Sequence, residues 1–290
     1  MAQTQNRPVA GVVWMLTTGV LFVAVTAIVK YVGSDLPAAE SAFLRYFLGL
    51  VFLIPMIGPI RRAKLTPRAL RLFGFRGLVH TFGVTLWFYA MTQISIAEVT
   101  AMNYLSPVYV TLGAAFFLGE KLAMRRIMAV VVALIGAIVI LRPGFRELSP
   151  GHLAMLVTAV MFAGSYLTAK VMADEVSPAV VVGMLSITVT IGLAPLAAMV
   201  WVTPTFAQLG WMFLLACFAT AGHYTMTLAF QAAPVTVTQP VTFLQLFWAV
   251  LLGALVFGEG IDGWVIFGGV IILASVSFIT WREAVLKRST

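Results

Sequence analysis

The chain has 290 residues, of which 61% are hydrophobic and 10% are charged, and its mean hydropathy is +1.03. Soluble domains contain roughly 45–50% apolar and about 25% charged residues, so this composition excludes a soluble globular protein and indicates an integral membrane protein. The net charge of +8 does not indicate nucleic-acid binding, because the basic residues cluster at the ends of apolar runs, where membrane orientation explains them. The single cysteine, Cys217, excludes an intrachain disulfide.

Ten apolar runs approach the roughly 20 residues that a helix needs to cross a bilayer. They span about residues 10–32, 37–59, 73–94, 99–118, 126–142, 151–173, 178–201, 209–231, 236–257 and 264–281. The first run has no clear signal-peptide cleavage site, so we interpret it as a membrane helix. The sequence therefore predicts an all-α integral membrane protein with ten transmembrane helices.

The positions of lysine and arginine predict the orientation in the membrane. With the N-terminus inside, the cytoplasmic loops and tail carry most of these residues: Arg61, Arg62, Lys64, Arg68, Arg71, Arg76, Lys121, Arg125, Arg126, Arg282, Lys287 and Arg288. The outside loops carry only Arg142 and Arg146 as clear basic residues. We expect both termini to be cytoplasmic.

An internal repeat is visible when the sequence is shifted by 139 positions, which aligns residues 81–120 with residues 220–259. The matches include Gly83 with Gly222 and Ala90 with Ala229. We predict two five-helix halves, 1–145 and 146–290. Because five is an odd number, the second half must be inverted in the membrane. Its outward loops, 204–208 and 258–263, contain no lysine or arginine, as inversion requires.

The fourth helix of each half ends in a similar motif, Leu118-Gly119-Glu120 in the first and Phe257-Gly258-Glu259 in the second. With ten helices in two inverted halves, the chain resembles the drug/metabolite transporter superfamily, EamA type, and within it the YddG-like amino-acid exporters. The resemblance covers nearly the whole chain and implies a bacterial inner-membrane transporter. It is specific for the fold and weak for the substrate.

Polar and aromatic residues recur at helical spacing inside the apolar runs, where they should face protein or a water-filled cavity. His80, Gly83 and Trp87 share one face of the third helix, and Asn103 and Tyr104 lie on the fourth. We predict one central substrate pocket, whose candidate residues are His80, Trp87, Asn103, Tyr104, Tyr166, His223, Thr227, Gln239, Thr242, Gln245 and Trp248.

Such a pocket is neutral and aromatic, which suits a zwitterion with an apolar side chain better than a phosphate, for which convergent arginine or lysine is expected. Ordinary helix packing is the alternative role for each single hydroxyl or aromatic. The two histidines could carry protons or only form hydrogen bonds. The first helix contains no acidic residue, so proton exchange at that position is unsupported.

Structural roles are favoured for the charged residues near the membrane helices. Arg45 is expected to pair with Glu40 or Glu98, and a role in substrate binding is the alternative. The remaining expectations are that Lys30 and Lys170 reach opposite surfaces, that Glu120 and Glu259 cap the helices that follow them, and that His152 lies at the surface.

The sequence contains no hydrolase, metalloprotease or aspartate-rich prenyltransferase motif, so we expect no enzyme, no cofactor and no metal. We predict a secondary transporter that exports small metabolites by alternating access, with amino acids bearing apolar or aromatic side chains as its first substrates. Drugs or other organic metabolites are the alternative, followed by a channel or an intramembrane enzyme. The expected partners are a small-molecule substrate and the lipid bilayer, without nucleic acid, and the protein is expected to be a monomer.

Overall fold

The computed structural model describes residues 7–32, 35–63, 65–118, 124–145, 147–172, 175–233, 238, 241 and 243–288. The fold is all-helical. The helices are α1 (Pro8–Val32), α2 (Ala38–Gly49), α3 (Ile57–Arg62), α4 (Pro67–Gln93), α5 (Ile96–Asn103), α6 (Leu105–Leu118), α7 (Met124–Leu141), α8 (Pro150–Met172), α9 (Pro178–Met199), α10 (Phe206–Ala232), α11 (Phe243–Phe257) and α12 (Gly263–Arg288).

Among the described residues, five helical segments are long and apolar enough to cross a membrane: Val9–Val32, Ala38–Pro55, Pro150–Ala169, Ala179–Met199 and Phe206–Met226. Three shorter apolar helices accompany them, Ile127–Leu141, Leu244–Phe257 and Gly263–Ile279. The helices overlap the apolar runs of the sequence, so the prediction of an all-α membrane protein is confirmed.

Two predicted membrane runs are interrupted, and a proline accounts for each interruption. A 3₁₀ segment, Leu50–Met56, joins α2 to α3 and contains Pro55, which cannot donate a backbone hydrogen bond. The second break separates α5 from α6 at Tyr104. Pro107 follows the break and has no N–H for the carbonyl of Asn103, four residues earlier. The regular helix is therefore interrupted at Tyr104, although the backbone of this residue stays in the right-handed helical region.

The most extensive helix contacts are α4 with α8, α1 with α10, α7 with α12 and α2 with α9. The next tier joins α6 to α8, α1 to α11, α4 to α9 and α2 to α10. The largest apolar core lies where these helices meet, around Phe88, Met91, Met102 and Leu105. The fold thus brings α1, α2, α4, α8 and α10 together in one central region.

Helices α4 and α10 have the same length and cap. Each has 27 residues, and each follows a threonine whose side chain accepts a hydrogen bond from the third helical residue, Thr66 from Ala69 and Thr205 from Gln208. These caps satisfy a backbone N–H that the first turn leaves without a partner. Both ends of α10 lie 139 positions after the ends of α4.

Candidate functional site

A buried polar chain crosses from α2 through α4 to α8. The hydroxyl of Tyr46 lies 2.9 Å from His80 Nε2, and the hydroxyl of Ser165 lies 3.1 Å from His80 Nδ1. The ring of Phe162 stacks on the imidazole with a centroid separation of 4.9 Å. Both ring nitrogens of His80 therefore have partners, and a carboxylate is not among them.

Phe162 reaches His80 because α8 packs closely on α4 at Gly83. A Cβ at Gly83 would lie 2.8 Å from a ring carbon of Phe162, which is too close for an alanine without a shift. Glycine thus creates the space for the aromatic ring.

A similar arrangement occurs between α1 and α10. Phe22 packs over Gly222, where a Cβ would lie 3.3 Å from its ring, and its ring meets His223 edge-on at 5.1 Å. One turn away, the hydroxyls of Thr18 and Thr225 are 2.9 Å apart. Each of these two helix pairs therefore sets a phenylalanine beside a glycine and a histidine.

Two arginines accompany the polar chain. The Arg45 guanidinium lies 4.4 Å above the ring of its neighbour Tyr46, and Arg76, only 6% exposed, donates to the carbonyl of Val181 at 2.9 Å. Arg76 lies four residues before His80 on α4, so a buried cation accompanies the polar chain. The sequence prediction of a neutral pocket did not include the two arginines, and it stays a prediction.

Sequence reasoning missed Arg76 because it counted this residue with the basic loop before the helix. In the structure, Arg76 lies nine residues into α4, about 14 Å along the helix axis. A basic residue so far from the helix end in a membrane protein is itself a signal of function, and it could have been recognised from the sequence.

The side chain of Tyr166 is 45% exposed although it lies near the polar chain. Its ring is 6.2 Å from that of Phe162, which stacks on His80. Tyr166 therefore lies at the α8 end of the polar chain with part of its side chain accessible.

The break between α5 and α6 forms a second polar group. The Asn103 side-chain oxygen is buried and has no hydrogen-bond partner among the described residues, while Tyr104 hydrogen-bonds to the backbone of Leu246 on α11. Next to Leu246, Gln245 approaches Gly19 of α1. Because Gly19 is only three residues before Phe22, α1 connects this group to Phe22 and to the neighbouring His223.

The structure thus places His80 and Tyr166 on either side of Phe162 and His223 beside Phe22, while Asn103, Tyr104 and Gln245 lie together near the α5–α6 break. Trp87 is half-buried against the apolar core, and Trp248 is 42% exposed beside Phe247. The side chain of Thr227 and the whole of Gln239 and Thr242 lie outside the described residues, as do Lys170 and Glu120.

The expected partners of Arg45 are engaged elsewhere. Glu40 accepts from the backbone N–H of Val202 at 2.9 Å, and Glu98 lies 3.1 Å from His152. Arg45 forms no ion pair in the described part of the chain, so its predicted pairing is wrong. His152 is 3% exposed, which also corrects its predicted surface position.

Lys30 and Glu259 likewise differ from expectation. The two side chains form an ion pair. Lys30 also donates a hydrogen bond to the carbonyl of Ile94 at 2.9 Å, and Glu259 accepts one from the backbone N–H of Ile96 at 3.0 Å. Lys30 therefore does not reach for the surface, and Glu259 ties the end of α11 to the α4–α5 connection instead of capping α12.

Several curated proteins are similar over almost the whole chain. An S-adenosylmethionine uptake transporter of Rickettsia conorii is 29% identical over 94% of this chain and 93% of its own. A riboflavin transporter of Vibrio cholerae is 29% identical over 98% and 97%. A pseudopaline exporter of Pseudomonas aeruginosa is 25% identical over 92% and 94%.

A solved crystal structure shares the fold with a TM-score of 0.62 at 18% identity, covering 94% of this chain and 98% of the other. The model of the EamA-like transporter family matches residues 9–142 and again residues 149–281. The protein is therefore a multi-pass membrane transporter of small molecules and not an enzyme, and it belongs to the EamA-like transporter family of the drug/metabolite transporter superfamily.

Proposed function

We propose that this protein is an alternating-access carrier of the bacterial inner membrane that exports amino acids with apolar or aromatic side chains. The observation that carries the proposal is the hydrogen-bonded chain Tyr46–His80–Ser165, on which the ring of Phe162 stacks. Hydrogen-bonding groups beside aromatic walls suit a small solute with one polar and one apolar end.

The architecture that we propose is ten transmembrane helices in two inverted halves, 1–145 and 146–290. Three observations support it. The family model matches twice, once in each half. The ends of α10 repeat those of α4, and the contact of α1 with α10 has its counterpart in that of α8 with α4. Such halves can rock about a central site and expose it to each side in turn.

We further propose that both termini are cytoplasmic, as the basic loops favour. A reporter that fluoresces only in the cytoplasm, fused after Thr290, tests this orientation. Fluorescence of the full-length fusion supports the proposal, and its absence with normal expression contradicts it.

Transport is tested by counterflow in proteoliposomes. Vesicles loaded with unlabelled L-tryptophan or L-phenylalanine should accumulate the labelled amino acid transiently, because a carrier exchanges bound solute whereas a channel does not. Alanine at Asn103, Tyr104, His223, Gln245 or Trp87 is expected to lower the rate without loss of membrane expression. Unchanged rates in all five variants would contradict the proposed pocket.

Uptake of S-adenosylmethionine or riboflavin is the second candidate function, because relatives that match almost the whole chain carry these names. Both compounds present a flat heteroaromatic ring, which the rings of Phe162 and Tyr166 could stack against. The same vesicles, loaded with each compound in turn, decide between the candidates. Exchange of S-adenosylmethionine or riboflavin without exchange of tryptophan or phenylalanine rejects the amino-acid proposal.

A further inference from the structure

Arg45 and Arg76 have no carboxylate partner among the described residues. The ion pairs of that part of the chain join Lys30 with Glu259, Arg68 with Glu175, Arg142 with Asp262 and His152 with Glu98. A guanidinium stays charged at any physiological pH, and a buried charge without a counter-ion is strongly unfavourable. Two such groups close to one polar chain therefore need an explanation.

Arg76 is the more buried of the two. One terminal nitrogen donates to Val181, but Nε is buried without a hydrogen-bond partner among the described residues. Arg76 lies about one turn before His80 on α4. The described residues thus leave the positive charge of Arg76 uncompensated beside the polar chain.

Arg45 is more accessible to solvent than Arg76. Its side chain is half-buried and rests on the face of the Tyr46 ring, whose hydroxyl is bound to His80. A cation–π contact holds a guanidinium in position but does not neutralise it. The N–H groups of Arg45 therefore remain available for an anion.

The two residues lie within their helices and not in the loops. Arg45 is seven residues into α2 and Arg76 nine residues into α4, about 10 and 14 Å from the respective helix starts. Arg76 reaches the carbonyl of Val181 in the first turn of α9. Both arginines therefore lie beyond the loops whose basic residues set the orientation.

We propose that Arg45 and Arg76 form the anion-binding pole of the substrate site, which recognises a carboxylate of the transported solute. Arg45 donates hydrogen bonds to the carboxylate, and Arg76 adds a second positive charge behind His80. The planar fork of a guanidinium matches a carboxylate, and the aromatic rings of Phe162 and Tyr166 accept the apolar part of the same molecule. This inference deepens the proposed function and rests on it for the location of the site.

The test measures binding to the purified full-length protein by calorimetry with three indole compounds. Indole-3-propionate has a carboxylate and no amine, L-tryptophan has both, and tryptamine has only the amine. The wild-type protein should bind the two carboxylates at least about tenfold more tightly than tryptamine. Arg45→Gln should weaken the two carboxylates by about tenfold, the loss expected for one hydrogen bond to a charged group, and leave tryptamine unchanged.

Arg71→Gln is the matched control, since Arg71 lies on the same helix as Arg76 and is exposed. It removes the same charge and should leave all three affinities unchanged. Arg76→Lys, which keeps the charge, should retain most of the preference for carboxylates. Arg76→Gln should reduce that preference, and if this variant does not fold, Arg45→Gln alone decides.

Two results overturn the proposal: wild-type protein that binds indole-3-propionate no better than tryptamine, or an Arg45→Gln variant that weakens all three compounds equally. Selective binding of the carboxylates without tryptophan transport has a different meaning. It rejects the amino-acid substrate and supports the anion-binding pole.

Discussion

His80 is the residue on which the site's hydrogen bonding converges, with Tyr46 on one ring nitrogen and Ser165 on the other. A neutral imidazole has one donor and one acceptor nitrogen, so both partners are needed to satisfy the ring. Tyr46→Phe removes one hydroxyl and leaves a buried nitrogen unpaired, which should cost about 1–3 kcal/mol of stability. Thermal unfolding of the detergent-purified protein measures the loss, and counterflow measures its effect on transport.

Tyr89→Phe is the control, because Tyr89 lies on the same α4 and its side chain is exposed. Combining Tyr46→Phe with His80→Leu should cost less than the sum of the single changes, since neighbours that share a hydrogen bond are not additive. Additive effects within about 0.3 kcal/mol would mean that the two side chains act independently.

Single residues were predictable from the sequence where helical spacing defines them. The periodicity of the third run selected His80 and Gly83, which lie together in the structure beside Phe162. Periodicity within one helix could not identify Tyr46, and it could select Ser165 but not its contact with His80, because both contacts depend on how α2 and α8 pack against α4. The pairing of Lys30 with Glu259 was not predictable for the same reason, since it joins residues far apart in the chain.

At the scale of the elements, the close contact of α4 with α8 depends on Gly83. Gly83→Ala should destabilise the protein by about 1–3 kcal/mol, because the added methyl group would lie 2.8 Å from the Phe162 ring and force a shift in a packed interface. Gly222→Ala should cost less, since its nearest Phe22 atom is 3.3 Å away. Thermal unfolding of the purified variants measures both effects.

Gly74→Ala provides the comparison within α4, because a methyl group there would meet nothing within 4 Å. By helix propensity alone, alanine should stabilise this position by up to about 1 kcal/mol. A Phe162→Leu change should recover part of the loss in Gly83→Ala. If Gly83→Ala and Gly74→Ala shift the unfolding temperature equally, the close contact has no energetic role.

The helices themselves were largely predictable, because membrane helices require long apolar runs. The interruptions of these helices were harder to predict from the sequence. Pro107 was visible in the sequence, but a proline in a membrane helix can be accommodated in several ways, and only the packing of α5 against α11 and α12 fixes the break at Asn103 and Tyr104. At that break the side-chain oxygen of Asn103 is buried without a hydrogen-bond partner among the described residues.

At the scale of the whole molecule, most of the described ion pairs between the two proposed halves lie at the predicted outer end. Lys30 with Glu259, His152 with Glu98, Arg142 with Asp262, and Glu40 with the N–H of Val202 all join segments there. At the other end, the described ties include the exposed pair of Arg68 with Glu175 and a buried apolar cluster that contains Phe73 and Val180. Ion pairs thus hold the predicted outer end, and apolar packing holds the other.

Lys30→Met should therefore shift the carrier toward its outward-open state. The change removes the ion pair with Glu259 and the hydrogen bond to Ile94, and a loss of about 1.4 kcal/mol changes the ratio of two states about tenfold. Gln245, which lies beside Gly19 of α1, serves as the reporter after Gln245→Cys and Cys217→Ala changes. A maleimide that does not cross membranes should label it roughly tenfold faster in intact cells once Lys30→Met is added.

Lys30→Arg, which keeps the charge and the donors, should label at the rate of the parent protein. Arg68→Gln instead removes the ion pair with Glu175 at the opposite end. It should therefore leave the labelling rate from outside unchanged and raise the labelling rate in inverted membrane vesicles. Since an alternating-access carrier cannot open both ends at once, the two variants must move the two labelling rates in opposite directions. Faster labelling from both sides in either variant would instead indicate local loosening of the helix bundle, and the ion pairs at the predicted outer end would then have no part in alternating access.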